Sequence, residues 1–317
     1  MADNKTLAEI TAVKSETPEI KVFVLEPRDR SLLAKIEPGA HIDISVGGHL
    51  RQYSLCNGPE DREFFLIAVK KEPESRGGSR AMHETLSVGD WLEIGPPRNN
   101  FRLALGAQAS FLLAGGIGIT PLLSMARHLQ CRGAPYRLLY FARSREQAAF
   151  FEELSSEKMR EKAAILLGLD AAATRGHLAE VLRRPAEGTH VYACGPQPFL
   201  EAVRAQTDGR WPSAQVHFEY FQAQEKSADP GDRTFKVKLA SSGEIFEIPP
   251  GKTIAKVLAE NGIAVEVSCE QGICGTCLTG VLQGLPDHRD ELLDDDVDDL
   301  MALCVSRAKS DLIVIDL

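Results

Sequence analysis

"CEQGICGTC" (269–277) packs three of the chain's seven cysteines into nine residues. Cys269, Cys274 and Cys277 are spaced C-x4-C-x2-C, and Cys304 follows further down the chain. That is the spacing of a plant-type [2Fe-2S] centre, in which two irons need two thiolates each: three from one loop and a fourth from elsewhere. The small residues Gly272, Gly275 and Thr276 let the backbone wrap close and aim N–H groups at the sulfurs. Zinc usually recruits C-x2-C pairs in two knuckles, and the second knuckle is missing here. Disulfides fit poorly in the reducing compartment argued next.

The remaining 308 of the 317 residues set the frame. Hydrophobic content of 44% and charged content of 26% are those of a soluble globular protein, at a length that suggests two or three domains. A net charge of -9 argues against a nucleic-acid binder, which needs a basic face. The start "MADNKTLAEI" lacks a basic region followed by an apolar one, so no secretory signal is expected. "LALGAQASFLLAGGIGITPLLSMA" (103–126) is uncharged and long enough to span a bilayer. Its glycines, proline and hydroxyls instead suit a buried strand, a glycine turn and a buried helix. The expectation is a cytoplasmic protein without a membrane span, where clustered thiols mean metal or catalysis.

Three textures follow one another. Up to residue 104, "KVFVL" (21–25), "HIDISV" (41–46), "EFFLIAVK" (63–70) and "WLEI" (91–94) read as strands between Gly and Pro turns, predicting an antiparallel β-barrel. Over 105–224, the runs at 110–114, 136–142, 163–168 and 189–195 alternate with helical patterns such as Leu122, Met125, Ala126 and Leu129. That alternation predicts an α/β parallel-sheet domain covered on both faces. The polar stretch 225–233 reads as a linker. Over 234–317 come a hairpin around Ser-Ser-Gly, a helix ending at Gly262, the cysteines, an acidic segment and a last strand.

"RQYSL" (51–55) combines a guanidinium able to clamp phosphate, a phenol able to pack on a flavin ring and a hydroxyl able to bond its N5. "RGGSR" (76–80) offers glycine N–H groups as an anion nest, and "AVK" (68–70) ends a neighbouring strand. "GGIGITP" (115–121) follows an apolar strand and opens a helix, with Thr120 suited to the N-cap and Pro121 to the first helical position. It lacks the third glycine of the full dinucleotide fingerprint and the acid about 20 residues later. "YACGP" (192–196) ends a later strand at the carboxyl edge, where open α/β sheets bind ligands. Cys56 and Cys131 are read as without a role.

This order of motifs, ending in C-x4-C-x2-C…C, resembles the phthalate dioxygenase reductase family over essentially the whole chain. The resemblance implies FMN in the barrel, NADH on the α/β domain and a C-terminal β-grasp plant-type ferredoxin domain. It places Arg51, Tyr53, Ser54, Ala68, Val69, Lys70, Gly77, Gly78 and Ser79 at the flavin, Thr120 between flavin and nicotinamide, and Phe221 at the flavin pocket. Gly115, Gly116, Gly118, Cys194 and Gly195 match the pyridine nucleotide site, and Cys269, Cys274, Cys277 and Cys304 the cluster. Arg143 or Arg145 in "YFARSRE" would suit an NADPH 2′-phosphate, so NADPH stays open beside NADH.

A nicotinamide releases two electrons at once and an iron–sulfur centre accepts one, so a flavin between them bridges the two modes. No acid–base pair is expected from the chain. The implied partner is a terminal Rieske-type oxygenase, whose centre sits at higher potential than a plant-type cluster. The alternatives are a stand-alone flavin/iron–sulfur reductase of a small molecule and a non-enzymatic sensor, which would not need two nucleotide sites. "DELLDDDVDDL" (290–300) reads as a solvated short helix, or else as a docking surface for a basic partner.

Overall fold

The computed structural model describes residues 5–73, 77–221, 231–267, 272, 275–290, 292–293 and 296–317, in two compact units, Met1–Phe221 and Gln222–Leu317.

The first unit begins with strands β1 (Thr6–Ser15), β2 (Ile20–Pro27), β3 (His41–Val46), β4 (His49–Ser54) and β5 (Phe65–Lys70), helix α1 (Gly78–Glu84) and strand β6 (Trp91–Ile94). The strands pair antiparallel in the order β4-β3-β6-β1-β2-β5. A bridge between Leu55 and Ile67, with Cys56 N–H donating to Leu66 O at 2.7 Å, nearly closes the sheet into the expected barrel. Phe23, Leu25, Ile42, Ile44, Phe65 and Ile67 fill it, all fully buried. Strand β1 was not expected, because only Ala8 and Ile10 of its ten residues are buried and its local apolar signal is weak. It is held by ladders to β2 on one side and β6 on the other.

The chain continues through β7 (Ala109–Gly115), α2 (Ile119–Cys131), β8 (Tyr136–Ala142), α3 (Phe151–Leu154), β9 (Ala163–Leu167), α4 (Ala171–Val181), β10 (Thr189–Cys194), α5 (Gln197–Thr207) and β11 (Val216–Glu219). The uncharged 103–126 stretch thus resolves into strand, glycine turn and helix, and no helix among the described residues is long and apolar enough to cross a membrane. The sheet, in the order β11-β10-β7-β8-β9, is parallel throughout. Because side chains alternate across a strand, Leu112, Ala114, Leu138, Tyr140 and Tyr192 pack on α2, while Leu113, Leu139, Val191 and Ala193 pack on α4 and α5. The α2 side also takes in Ile20, Val22, Ala68, Phe101 and Leu103, so barrel and sheet share one apolar core. Polar clamps reinforce it. Ser124 Oγ donates to Asn57 O at 2.7 Å, and Arg127 donates to Cys56 O at 2.6 Å and to both oxygens of Glu153 at 2.8 and 2.7 Å.

One local expectation fails. Helix α2 starts at Ile119 rather than after a Thr120 cap, because a 3-10 turn over Gly116–Gly118 runs straight into it. Thr120 Oγ1 donates back to Ile117 O at 3.1 Å, and Pro121 sits in the first turn, where a missing N–H costs nothing.

The second unit holds β12 (Phe235–Leu239), β13 (Ile245–Ile248), α6 (Ile254–Glu260), β14 (Leu278–Gln283), β15 (Pro286–Asp287), β16 (Leu300–Ala302), β17 (Arg307–Ala308) and β18 (Leu312–Ile315). Its main sheet runs β13-β12-β18-β14-β16, with β12 and β18 parallel. Ile254, Val257 and Leu258 of α6 pack on Phe235, Val237, Ile313 and Ile315 of that sheet, as a β-grasp domain requires. The helix ends as read, with Gly262 at φ 79°. Asp232, at the end of the stretch read as a linker, pairs with Arg289 at 2.7 Å.

Candidate functional site

Two glycine turns meet at the carboxyl edge of the parallel sheet. A Cβ on Gly118 would lie 2.2 Å from Cys194 O and 2.6 Å from Gly195 N, so no side chain fits there. A Cβ on Gly195 would lie 3.0 Å from Gly115 Cα. The "GGIGITP" and "YACGP" segments, far apart in sequence, are thus pressed together at the ends of the adjacent parallel strands β7 and β10. Gly116 adopts φ 55°, leaving its turn without a side chain on the ligand edge. The arrangement suits a pyrophosphate and nicotinamide at a sheet edge. Beyond β8, Arg143 is exposed, whereas Arg145 is engaged with Glu152 at 2.9 Å and lies over the Phe151 ring at 4.6 Å.

The barrel supplies the facing wall. Arg51 lies against the first turn of α1: a Cβ on Gly78 would sit 2.8 Å from Arg51 Cγ and Nε. Gly77 adopts φ 112°, a conformation that favours glycine. Ser79 Oγ accepts the Glu72 N–H at 3.1 Å, and Lys70 pairs with Glu72 at 2.8 Å. On β5, Ala68 and Val69 are buried, and Val69 O lies 2.8 Å from His83 Nε2. The Tyr53 hydroxyl is buried without a hydrogen-bond partner, and burial pushes its pKa up to about 12. An orphaned buried hydroxyl beside an arginine and a glycine turn fits a polar cofactor such as FMN, with its phosphate at Arg51. Thr120 is buried in α2, and Phe221, which follows β11, is 39% exposed.

The residue that sequence reasoning missed is Glu219. It ends β11, and its Oε2 accepts Ser54 Oγ from the barrel at 3.4 Å and Cys194 Sγ from β10 at 3.8 Å. Desolvation pushes its pKa up to about 8, against which the Ser54 and Cys194 contacts work only partly. The same burial, followed by the neighbouring Glu219, pushes the Cys194 thiol well up, so it stays a thiol at neutral pH. The signal was present as the acid of "HFEYF", read there only for its phenylalanine.

In the second unit, Cys277 and Cys304 are both buried at 4% exposure and sit at the ends of paired strands, with Leu303 N–H donating to Cys277 O at 3.2 Å. Gly272 and Gly275 adopt φ 71° and 76°, and a Cβ on Gly272 would lie 2.6 Å from Val305 Cγ2. Two thiols shut away beside a tight glycine loop fit a cluster. Cys269 and Cys274 lie outside the described residues.

The acidic segment forms no helix among its described residues. Asp290 turns inward, its side chain fully buried, and accepts the N–H groups of Leu292 and Leu293 and the Ser306 hydroxyl at 2.8 to 3.0 Å. Asp296, Asp298 and Asp299 stay exposed, while Glu291, Asp294 and Asp295 lie outside the described residues.

Comparisons with known proteins bear on the chain as a whole. A model of a 2Fe-2S iron-sulfur cluster binding domain matches residues 237–309, and one of an oxidoreductase NAD-binding domain matches 112–205. The vanillate O-demethylase oxidoreductase of Pseudomonas putida is 43% identical over 98% of this chain and 99% of its own. The phthalate dioxygenase reductase of Burkholderia cepacia is 41% identical over 94% and 93%. A solved phthalate dioxygenase reductase, described as a modular structure for electron transfer from pyridine nucleotides to [2Fe-2S], matches with a TM-score of 0.74 and 39% identity, covering 99% of this chain and 98% of that one. With a barrel, a parallel nucleotide sheet and a thiol-bearing β-grasp unit in the same order over nearly its full length, the chain belongs to the phthalate dioxygenase reductase family of NAD-binding, [2Fe-2S] oxidoreductases.

Proposed function

We propose that this protein is the reductase component of an oxygenase system: it takes a hydride from NADH onto FMN and passes electrons singly through a [2Fe-2S] cluster to a terminal Rieske-type oxygenase in the cytoplasm. The observation that carries this reading is the full-length match to oxygenase reductases, joined to two facing ligand walls in the first unit and a thiol pair in the second. A stand-alone reductase would also need its small-molecule acceptor against the flavin, and the walls there are assigned to flavin and nicotinamide.

The division that goes with it is a flavin barrel over 1–104, a nucleotide domain over 105–224, a linker over 225–233 and a ferredoxin domain over 234–317. Arg51, Tyr53, Ser54, Ala68, Val69, Lys70 and Gly77 to Ser79 hold FMN, with Thr120 and Phe221 beside the ring. Gly115, Gly116, Gly118, Cys194 and Gly195 hold the nucleotide. Cys269, Cys274, Cys277 and Cys304 hold the cluster. Arg143, exposed at the carboxyl end of β8, is the group that would meet a 2′-phosphate if NADPH is used, since Arg145 is engaged elsewhere.

The flavin, when bound, supplies the change from two-electron to one-electron chemistry. The chain's own task is to orient the nucleotide against it and to handle the accompanying proton. With its pKa near 8, Glu219 is protonated at neutral pH. At rest its Oε2 accepts the Ser54 hydroxyl. When Ser54 gives that hydroxyl proton to the flavin wall, its oxygen takes one back from the carboxyl, a general acid–base role suited to a pKa near the working pH.

The pure protein should hold about one FMN and two irons per chain, with single-electron delivery to the oxygenase that co-purifies with its reduced form. Extracted FAD would overturn the FMN assignment, and zinc in place of iron would remove the electron path. Turnover of a physiological small molecule with no partner protein would favour the stand-alone reading.

Glu219→Gln separates the proton store from a packing role. Wild-type turnover should fall as pH rises through about 8, where the carboxyl ionises, whereas the variant should be slower near neutrality and flat across that range. The stability trend has the same origin. The unfolded carboxyl ionises near 4.5, so above that pH the folded state holds a proton that the unfolded chain has released. Stability therefore falls as pH rises from about 4.5 to about 8, and the glutamine removes that slope. An unchanged inflection near pH 8 in the variant would assign the titration to another group.

A further inference from the structure

The first unit has a cavity away from both glycine turns. It measures about 440 Å³ and is lined by residues on either side of the barrel–sheet junction: the loops at 34–38 and 57–62, the connection at 99–105, and Ser124 and His128 of α2. We infer that this cleft binds a small carboxylate carried on a compact apolar body, held by Arg62 and Arg102 with His128 at its floor. None of the residues placed at flavin, nucleotide or cluster lines it.

The charge is unbalanced in one direction. Arg62 uses Nε to hold Pro59 O at 3.0 Å, and Arg102 uses Nε to hold Asn99 O at 3.2 Å, which fixes both guanidinium planes. Neither has a carboxylate within ion-pairing distance among the described residues. The single acid in the lining, Glu37, is engaged by Asn99 Nδ2 at 3.2 Å. His128 Nε2 is shut from solvent with no hydrogen-bond partner. Burial, and then the charges of Arg132 and Arg62, push its pKa down, so it meets a ligand as a neutral ring with one polar nitrogen. Ile36, Pro38, Pro59 and Leu103 supply apolar walls, and the volume is that of small-molecule sites. Fixed guanidiniums are the group of choice for a carboxylate, and a buried orphan nitrogen is costly until something bonds it.

The position couples the cleft to the redox wall. Thr120, Ser124 and His128 follow one another at four-residue steps, so they lie along one face of α2. Thr120 stands at the flavin and nicotinamide end, Ser124 clamps the barrel through Asn57 O, and His128 reaches the cleft, about 12 Å along the axis from Thr120 at 1.5 Å per residue. A ligand touching both the barrel loops and α2 spans the joint that sets flavin against nicotinamide.

The test is calorimetric titration of the cofactor-loaded protein with 2-naphthoate at fixed ionic strength, with and without saturating NAD+, and of the double variant Arg62→Ala/Arg102→Ala. Saturable binding that persists under NAD+ and weakens at least about tenfold in the variant supports the site, in line with losing charge-assisted hydrogen bonds. Octanoate in the same titration distinguishes a flat aromatic body from a flexible chain as the preferred carrier of the carboxylate. Both arginines are exposed at the rim. The variant should therefore keep its FMN and its NADH–ferricyanide activity, and Arg62→Gln and Arg102→Gln singly give a second reading should it not. No saturable binding to wild type, displacement by NAD+, or equal affinity in the folded variants overturns the proposal.

Discussion

Cys304→Ser should lower cytochrome c reduction by about a hundredfold or more, with loss of the cluster's absorbance, while flavin content and NADH–ferricyanide activity stay close to wild type. The magnitude follows from the part played by a ligand. Even outer-shell changes cost a metal site up to about a hundredfold, and a serine hydroxyl at neutral pH offers iron no thiolate. The selectivity follows from the architecture. Met1–Phe221 and Gln222–Leu317 are separate compact units with their own apolar cores, so damage confined to the second leaves the flavin wall built. Cys304 is buried in the second unit's core, so a drop in its thermal stability should accompany cluster loss. A normal cluster with normal cytochrome reduction in this variant would remove Cys304 from the ligand set. Cys131→Ser is the matched control, because that thiol is exposed and far from the proposed loop in sequence.

Gly118→Ala should lower the rate of NADH-driven flavin reduction by about a hundredfold, leaving the cluster and its reduction by dithionite unchanged. The added methyl would stand 2.2 Å from Cys194 O and 2.4 Å from its carbonyl carbon, so backbone must move, and the start of α2 must part from the end of β10. That parting is on the order of 1 Å, the scale at which misplaced reacting groups lose about 10²-fold. The strain is steric and not conformational, since Gly118 has φ -61°, which any residue adopts. Gly176→Ala is the control. It lies within α4 with no atom near the new methyl, and should add about 1 kcal/mol of stability without touching the rate. Wild-type reduction rates in Gly118→Ala would show that the two turns do not set the nicotinamide's position.

How much of this was legible beforehand depends on where the physical cause lies. The cysteine spacing, the glycine turns and the apolar runs of β2, β3, β5 and β7 to β10 are local facts. A loop around a cluster, a close backbone approach and a buried strand each demand particular residue types at particular intervals, and those intervals are readable along the chain. Within the acidic segment, Asp290 departs from the solvated reading for the opposite reason. A run of aspartates reads as solvated, yet Asp290 is buried because two backbone N–H groups and the hydroxyl of Ser306, 16 residues later, compensate it.

The sequence by itself determined the order of three folding textures, the motifs on each that are proposed to hold cofactors, and the family. Only the tertiary structure decided what those motifs meet. Strand β1 exists because β2 and β6 pair with it, not because its own residues bury much surface. Gly118 must be glycine because Cys194, 76 positions later, brings its carbonyl against it. Glu219 is pushed toward its protonated form because segments distant in sequence desolvate its carboxyl, an effect that the hydrogen bonds from Ser54 of the barrel and Cys194 of the sheet only partly offset. A carboxyl's pKa, a methyl's clearance and an edge strand's partner are properties of surroundings assembled from distant segments, and no local pattern carries them.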